Sequence, residues 1–177
     1  MNRRGRDVFE EQEELDERVV DITRVANVVK GGRTFHFRVV AIVGDHNGQI
    51  GVGIGKARTV PDAIGKAAER ARRDMHPIAM AGSTIPHEVN GTCGGSKIFL
   101  RPAAPGTGVI AGGGVRAVLQ AAGVRDVLTK SLGSSTQVNV VQATMKALNH
   151  LRDVEEVAQE RGKSVVEVLP FWLREEA

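Results

Sequence analysis

The chain contains few residues of the kinds that cross-link or stack. Among its 177 residues there is one cysteine, no tyrosine, one tryptophan and an aromatic fraction of only 3%. Because Cys93 has no cysteine partner, an intramolecular disulfide is excluded, and we expect a small buried thiol in a reducing cytosol. With 41% hydrophobic residues and 21 glycines, the core must be aliphatic and tightly turned.

Long hydrophobic runs are also absent from the sequence. No segment approaches the roughly 18 apolar residues that a membrane-spanning helix requires, and the uncharged stretch 102–115 is rich in glycine and proline instead. The first residues, "MNRRGRDVFEEQEE", include no apolar signal region. We therefore expect a soluble cytoplasmic protein that has no membrane partner.

The sequence has no recognisable catalytic or metal-binding constellation. Its histidines lack the paired spacing of metal ligands; they are His36, His46, His76, His87 and His150. The carboxylates are concentrated in the two ends of the chain, where a solvated surface explains them. The chain is accordingly predicted not to be an enzyme, to need no cofactor or metal, and to have no small-molecule substrate.

A net charge of +3 hides a strong asymmetry along the chain. Residues 7–17 contain seven acids and no bases, whereas residues 18–152 contain eighteen bases and seven acids. Residues 153–177 again carry more acids than bases. A basic body between two acidic ends attracts polyanions, whose counterions are released on binding, and this pattern favours a nucleic-acid partner.

The first half of the basic body has the pattern of three strands followed by a helix. The segments "DITRVANVVK", "TFHFRVVAIV" and "QIGVGIGKAR" have strand-like alternation or β-branched residues. In the second segment, Phe35 and Phe37 are predicted to lie on the same face as the apolar core. The helix "TVPDAIGKAAERARRDM" has one apolar stripe and a second, exposed stripe formed by Lys66, Arg70 and Arg73.

The second half repeats neither the sequence nor the order of the first. Two strands are followed by a glycine-rich loop, a short helix, a further strand and a longer helix. The sequence thus predicts an α+β protein of two small domains, a βββα unit at 18–82 and a βαβα unit at 86–152. Residues 1–17 are expected to be a disordered acidic extension, and residues 153–177 short helices and a tail.

Two glycine-rich stretches resemble nucleotide-binding loops but fail the tests for them. In "GQIGVGIGKAR" a phosphate-binding loop would need glycine at position 50 and a hydroxyl residue at 57, which are isoleucine and alanine. Its glycines alternate at strand spacing, so they allow close approach of the protein's own helix, another backbone or a phosphate chain. In "GTGVIA", prolines interrupt the required strand-to-helix turn, so we expect a tight interface loop there.

The remaining chemistry is positive charge on defined elements. A βββα unit with a basic helix face is typical of proteins that bind double-stranded RNA by its shape, and few aromatics are available for stacking on single-stranded bases. The candidate RNA-binding cations on strands, turns and helix are Arg24, Lys30, Arg33, Lys56, Arg58, Lys66, Arg70 and Arg73.

Several motifs closely resemble one family. The stretches "VKGGR", "VGDHNGQIGVGIGKA", "VPDAIGKA" and "GTGVIAGG" occur in one order and resemble the S-five family of bacterial small-subunit ribosomal proteins. The resemblance covers about residues 18–165. It implies a structural ribosomal protein with a double-stranded-RNA-binding-like first domain and a C-terminal α/β sandwich that contains an unusual left-handed βαβ crossover.

The resemblance also implies partners and site residues. The partners are 16S ribosomal RNA and the fourth and eighth small-subunit proteins, with messenger RNA nearby and an influence on translational accuracy. The family's loop near the spectinomycin site matches Arg24, Lys30, Gly31, Gly32 and Arg33, although Ala26 and Asn27 depart from the family's usual Ser-Lys. The positions implied for contact with the fourth protein are Gly108 and Arg116.

Two other functions remain as alternatives at this point. A free double-stranded-RNA-binding regulator would keep the basic first unit but has no need of the specific second unit. A nucleotide-using enzyme is disfavoured by both failed motifs. The C-terminal tail, with Trp172, matches no motif of the family, and we expect it to pack on the protein's own second domain rather than on a neighbour.

Overall fold

A computed structural model describes residues 15–169 and residue 172. Its α+β architecture confirms the predicted class, with two four-stranded sheets and helices packed on them. The elements in chain order are β1 (Asp16–Val29), β2 (Gly32–Gly44), β3 (Gln49–Ala57), α1 (Val60–Arg73), β4 (His76–Pro77), β5 (Val89–Cys93), β6 (Ser96–Pro102), β7 (Val109–Ile110), α2 (Gly113–Ala121), β8 (Val127–Gly133), α3 (Gln137–Asn149), α4 (Val154–Arg161) and α5 (Val165–Val168).

The first sheet has the order β1-β2-β3-β4, and all of its neighbouring strands are antiparallel. Its three long strands and α1 form the predicted βββα unit. β1 begins at Asp16, where it pairs with Gly44, so the strand starts two residues inside the segment expected to be a disordered extension. The register with β2 orders these two residues; residues 1–14 of that extension lie outside the described part of the chain.

Three glycines of β3 allow α1 to lie directly on the strand backbone. A Cβ atom built on Gly51, Gly53 or Gly55 would lie 2.0 Å from a carbonyl oxygen of α1. Each glycine faces one turn of the helix, which presents buried alanines to the sheet. Of the three occupants that the alternating glycines allow, the protein's own helix is the one found, so this face of β3 is closed to a phosphate chain.

The second sheet has the order β5-β6-β8-β7. Only β7 and β8 are parallel, and α2 connects them, so a βαβ unit is present as the family resemblance implies. α3 packs against β5 and β6. Close packing again depends on a glycine, because a Cβ on Gly91 would lie 2.0 Å from the carbonyl oxygen of Ala143 in α3.

The two halves share one hydrophobic core. Val40 and Ile42 of β2 point away from α1 and belong to the same buried cluster as Val118 and Leu119 of α2. Val39, on the opposite face of β2, lies in the smaller cluster on the α1 side. One face of β2 therefore packs on α1 and the other on the second half. Burial on both faces explains why the second half of β2 is apolar at consecutive positions.

The junction between the halves is held by backbone contacts. The N–H groups of His46 and Gly48 donate to the carbonyl oxygens of Ala121 and Ala122 at 3.1 and 3.0 Å. A Cβ on Gly44 would lie 2.1 Å from the same Ala121 oxygen, so the chains approach as closely as a glycine allows. This contact leaves no room for a flexible joint at the turn between β2 and β3.

The C-terminal part forms two short helices beside the second sheet. Asp153 caps α4 by accepting from the N–H of Val154, and Gly162 ends the helix in a left-handed conformation with φ of 61°. Trp172 is half-buried and lines a hollow with Arg101 and Leu128. The side chain thus lies on the protein's own second sheet, as expected. None of the helices in the described residues is long and apolar enough to cross a membrane.

Candidate RNA-binding surface

The hairpin formed by β1 and β2 extends beyond the end of α1 as an arm. Lys30 and Gly31 form its two-residue turn, and the exposed side chains of Val28 and Val29 lie just before it. Gly32 has a φ of 148°, which favours glycine at the start of β2. Its predicted RNA-binding residues are all exposed; they are Arg24, Lys30, Gly31, Gly32 and Arg33.

The position of Phe35 corrects one sequence-based expectation. Phe35 was predicted to face the core, but 44% of it is exposed, and the guanidinium of Arg24 lies 3.8 Å from the centre of its ring. The helix explains the difference: α1 begins at Val60, and its cluster reaches only to Phe37. The ring therefore belongs to the arm, where a cation–π contact holds Arg24.

A pair of like charges lies where the arm joins the sheet. Arg38 of β2 and Lys56 of β3 are cross-strand partners, and both side chains lie on the face away from α1. Within the described part of the chain, Arg38 Nε and His36 Nδ1 are buried polar atoms without a hydrogen-bond partner. Directly opposed like charges destabilise a sheet, and an unpaired buried donor is costly. An external anion would relieve both costs.

The sequence-based selection included Lys56 but missed His36 and Arg38. The signal was present, because these two residues alternate with the apolar face of β2. What the sequence lacks is the register, which puts Arg38 opposite Lys56. Arg58 follows two residues after Lys56, is exposed, and directly precedes Thr59, the N-cap of α1.

The helix contributes less free charge than its sequence suggests. Arg73 is paired with Glu69, and Arg70 donates from its guanidinium to the carbonyl oxygen of Ile54 on β3. Arg72, which was not selected, binds Glu17 and so ties β1 to α1. Among the three predicted helix cations, Lys66 is the one with neither an ion pair nor a hydrogen bond within the described residues.

The loop at 104–108 is organised by an internal carboxylate. Asp126 is buried at the start of β8 and accepts from Ser83 Oγ at 2.7 Å and from the N–H of Gly108 at 2.8 Å. These hydrogen bonds, with weaker ones from the N–H groups of Gly106 and Thr107, lower the pKa of the Asp126 carboxyl despite its burial. The loop amides that a dinucleotide phosphate would need are occupied by the protein's own anion.

Gly108 and Arg116 come together around β7. The guanidinium of Arg116 donates to the carbonyl oxygen of Val109 at 3.2 Å, directly beside Gly108. Arg116 also lines an open hollow of about 540 Å³ together with Arg18, His46 and Arg125. A surface with this many cations fits an acidic partner.

Asp16 partly neutralises this hollow, because it contacts two of the residues that line it. Its carboxylate is 2.7 Å from Arg18 Nε and 3.2 Å from His46 Nε2. Arg116 and Arg125 carry no ion pair among the described residues.

The remaining candidate chemistry is unremarkable. Within the described residues no group of three or more potential ligands could hold a metal ion. Cys93 was expected to be buried but is only half-buried at the end of β5, with its thiol 3.2 Å from Gln142 Oε1. Its position at a strand end rather than in the strand's centre explains the difference.

Family models match both halves of the chain. The model of ribosomal protein S5, N-terminal domain, matches residues 15–79, and that of ribosomal protein S5, C-terminal domain, matches residues 91–161. The two matches are in chain order and together cover roughly three quarters of the sequence. Each coincides with one of the two sheets described above.

Proposed function

The chain belongs to the ribosomal protein S5 family, and from that membership we propose how its surfaces act. The family is structural and non-enzymatic, so the chain is a component of the small ribosomal subunit in the cytoplasm. Membership implies binding to ribosomal RNA and to other ribosomal proteins.

The first domain binds 16S ribosomal RNA along the arm and the adjoining edge of the sheet. The opposed charges of Arg38 and Lys56 carry this proposal, because free protein gains nothing from that arrangement and a phosphate between them would be bound by both. Lys30 and Arg33 add exposed positive charge near the tip of the arm, and Arg58 adds it next to the start of α1.

Backbone and shape recognition fits this surface better than base stacking. The exposed aromatic ring of the arm, Phe35, already has Arg24 over one face. The cations are spread over two strands, a turn and the start of a helix, which suits contacts to successive phosphates of a folded RNA. Arg70 and Arg73, which bind within the protein, contribute less than the sequence predicts.

The second domain contacts neighbouring ribosomal proteins. Gly108 and Arg116 lie at one end of β7, and the cation-lined hollow beside them suits an acidic surface of the fourth small-subunit protein. The eighth protein is a second neighbour, and messenger RNA passes nearby. Through these contacts the protein helps to set translational accuracy near the decoding region.

Binding of 16S ribosomal RNA by the double variant Lys30→Ala, Arg33→Ala tests the proposal. Both residues are exposed at or next to a turn, so we expect an unchanged melting temperature and an affinity about tenfold lower or more at physiological salt. The slope of log affinity against log salt should decrease by about 2, because roughly 0.9 counterion is released per phosphate contact. The matched control is Arg161→Ala, Lys163→Ala, which removes equal charge at the end of α4.

Equal affinities for the arm variant and the control would remove the arm from the RNA surface. The alternative, a free double-stranded-RNA-binding regulator, predicts that the arm variant loses affinity for any RNA duplex and that the protein sediments apart from the small subunit. Sucrose-gradient fractionation at low magnesium separates the two functions. We expect the chain to sediment with the small subunit at a stoichiometry near one.

A further inference from the structure

The second sheet has an open strand edge. β7 pairs with β8 only at Val109–Val127 and Ile110–Leu128, whereas β8 continues to Gly133. On its other side β8 is paired with β6 along its whole length. Residues 130–133 are all exposed, and within the described residues no strand pairs with them on the β7 side.

The hydrogen-bonding groups of this edge point outward. The N–H of Val127 donates to the carbonyl oxygen of Gly108 at 3.2 Å, so Val127 directs its backbone groups toward the β7 side. Because backbone direction alternates along a strand, Thr129 and Ser131 direct theirs to the same side. Thr129 lies beside the end of β7 and donates its hydroxyl to Ile110. Ser131 lies beyond it, and within the described residues its outward N–H and carbonyl have no backbone partner.

The side chains beside this edge alternate between apolar and basic. Leu128, Lys130 and Leu132 lie on the outer face of β8, away from α3, and the two leucines are 39% and 45% exposed. Across the register they lie opposite Arg101, Phe99 and Lys97, respectively. The outer face thus presents Lys130 and Lys97 between apolar side chains, whereas the third cation, Arg101, is paired with Glu88 at 3.1 Å.

We propose that the edge of β8 from Thr129 to Gly133 binds an extended, acidic segment of another protein, which adds a strand to the second sheet. An extended polypeptide pairs with outward backbone groups such as those of Ser131 when it adds a strand to a sheet edge. Acidic side chains at alternate positions would meet Lys130 and its neighbouring cations, and apolar side chains between them would cover Leu128 and Leu132. This proposal does not depend on the RNA contacts of the first domain.

Other occupants fit this surface less well. A second copy of the chain would oppose its own Lys130 and Lys97 with like charges. RNA has no strand of amides to pair with the edge, and the ring of Phe99 is already covered by Lys97, whose Nζ lies 4.9 Å from its centre. The protein's own Trp172 lies on the same face, but at its far end beside Leu128.

Photocrosslinking in intact small subunits tests the proposal. The photoreactive residue p-benzoylphenylalanine is placed at Ser131 in the full chain and, as a matched control, at the exposed Gln159 of α4. Subunits are purified from cells that carry each chain, irradiated, and digested for mass spectrometry. We expect a protein cross-link from position 131 alone, to a segment that alternates acidic and apolar residues.

A labelled synthetic peptide of the cross-linked segment then tests the mode of binding to the full chain. Ser131→Pro removes the outward N–H and is tolerated at an edge strand, so we expect the fold to persist by thermal melting and peptide affinity to fall at least tenfold. Lys130→Glu should reduce it similarly, whereas the control Lys163→Glu should not. The proposal would be overturned if position 131 gave no cross-link, or cross-links to RNA, to a second copy or to the chain's own tail. It would also be overturned if Ser131→Pro left the peptide affinity unchanged.

Discussion

Arg38 of β2 and Lys56 of β3 are directly opposed cross-strand partners, so two positive side chains lie next to each other on one face of the sheet. The buried Nε of Arg38 has no hydrogen-bond partner within the described residues. A folded protein tolerates such an arrangement when the two charges strengthen ligand binding, although they lower the stability of the free protein. The pair therefore gives opposite predictions for stability and for binding.

Lys56→Met should stabilise the free protein and weaken RNA binding. Removing one charge of the opposed pair is expected to raise the free energy of unfolding by about 0.5 kcal/mol, because methionine keeps the apolar stem of lysine. Affinity for 16S ribosomal RNA should fall severalfold with the lost phosphate contact. Urea unfolding measures the stability, and fluorescence anisotropy measures the RNA affinity. A variant that is less stable than the original protein and binds RNA equally tightly would contradict this account.

Gly53→Ala should disrupt the packing of α1 on β3. The added Cβ would lie 2.0 Å from the carbonyl oxygen of Ala67, so the helix must move away, at an expected cost of about 3 kcal/mol or more. The matched control is Gly65→Ala within α1, where a Cβ meets no atom within 4 Å. There we expect stabilisation of about 0.5–1 kcal/mol from helix propensity. Similar melting temperatures for the two variants would refute the close approach.

Asp126→Asn should change how stability depends on pH. Because the folded-state pKa of Asp126 is lowered, its carboxylate stabilises the fold above the ordinary aspartate pKa of about 3.9, and this contribution is lost as the pH falls through the folded-state pKa. At pH 7 the variant should be less stable by about 1.5–3 kcal/mol, the scale of a hydrogen bond to a charged group. Urea titrations at several pH values should show the difference shrinking in acid; a constant difference would exclude the charge as its cause.

The two domains should unfold in one cooperative transition. Val40 and Ile42 from the first half share a buried cluster with Val118 and Leu119 from the second, so the loss of either half would expose core residues of the other. Differential scanning calorimetry is expected to give a single peak whose calorimetric and van't Hoff enthalpies agree. Two resolved peaks would show that the shared cluster does not couple the halves.

Local patterns in the sequence predict most of the helices and strands. They do not predict how far the element packed against each one extends. The alternation of β2 correctly indicates a strand with Phe37 toward α1, because successive side chains of any strand point to opposite faces. It assigns Phe35 to the core as well, since alternation carries no information about how far a helix extends. The length of α1 relative to the hairpin decides that question.

Tertiary register explains the features that the sequence did not predict. The spacing of Gly51, Gly53 and Gly55 shows a bare strand face but not which chain covers it. Asp126 resembles any surface acid in sequence, and only the fold brings Gly108 and Ser83 to it. Contacts of this kind join residues 18 and 43 positions apart, beyond the reach of local periodicity.

The junction at which His46 and Gly48 bind the carbonyl groups of Ala121 and Ala122 limits how the protein can be recombined. Although the segment near residue 85 looks like a natural place to join halves of two relatives, the surfaces that must match lie elsewhere, at the turn after β2 and the end of α2. A chimera divided at that linker would inherit mismatched halves of a single core. The two matched family domains can therefore be told apart in the sequence, but a functional exchange must transfer both of them together.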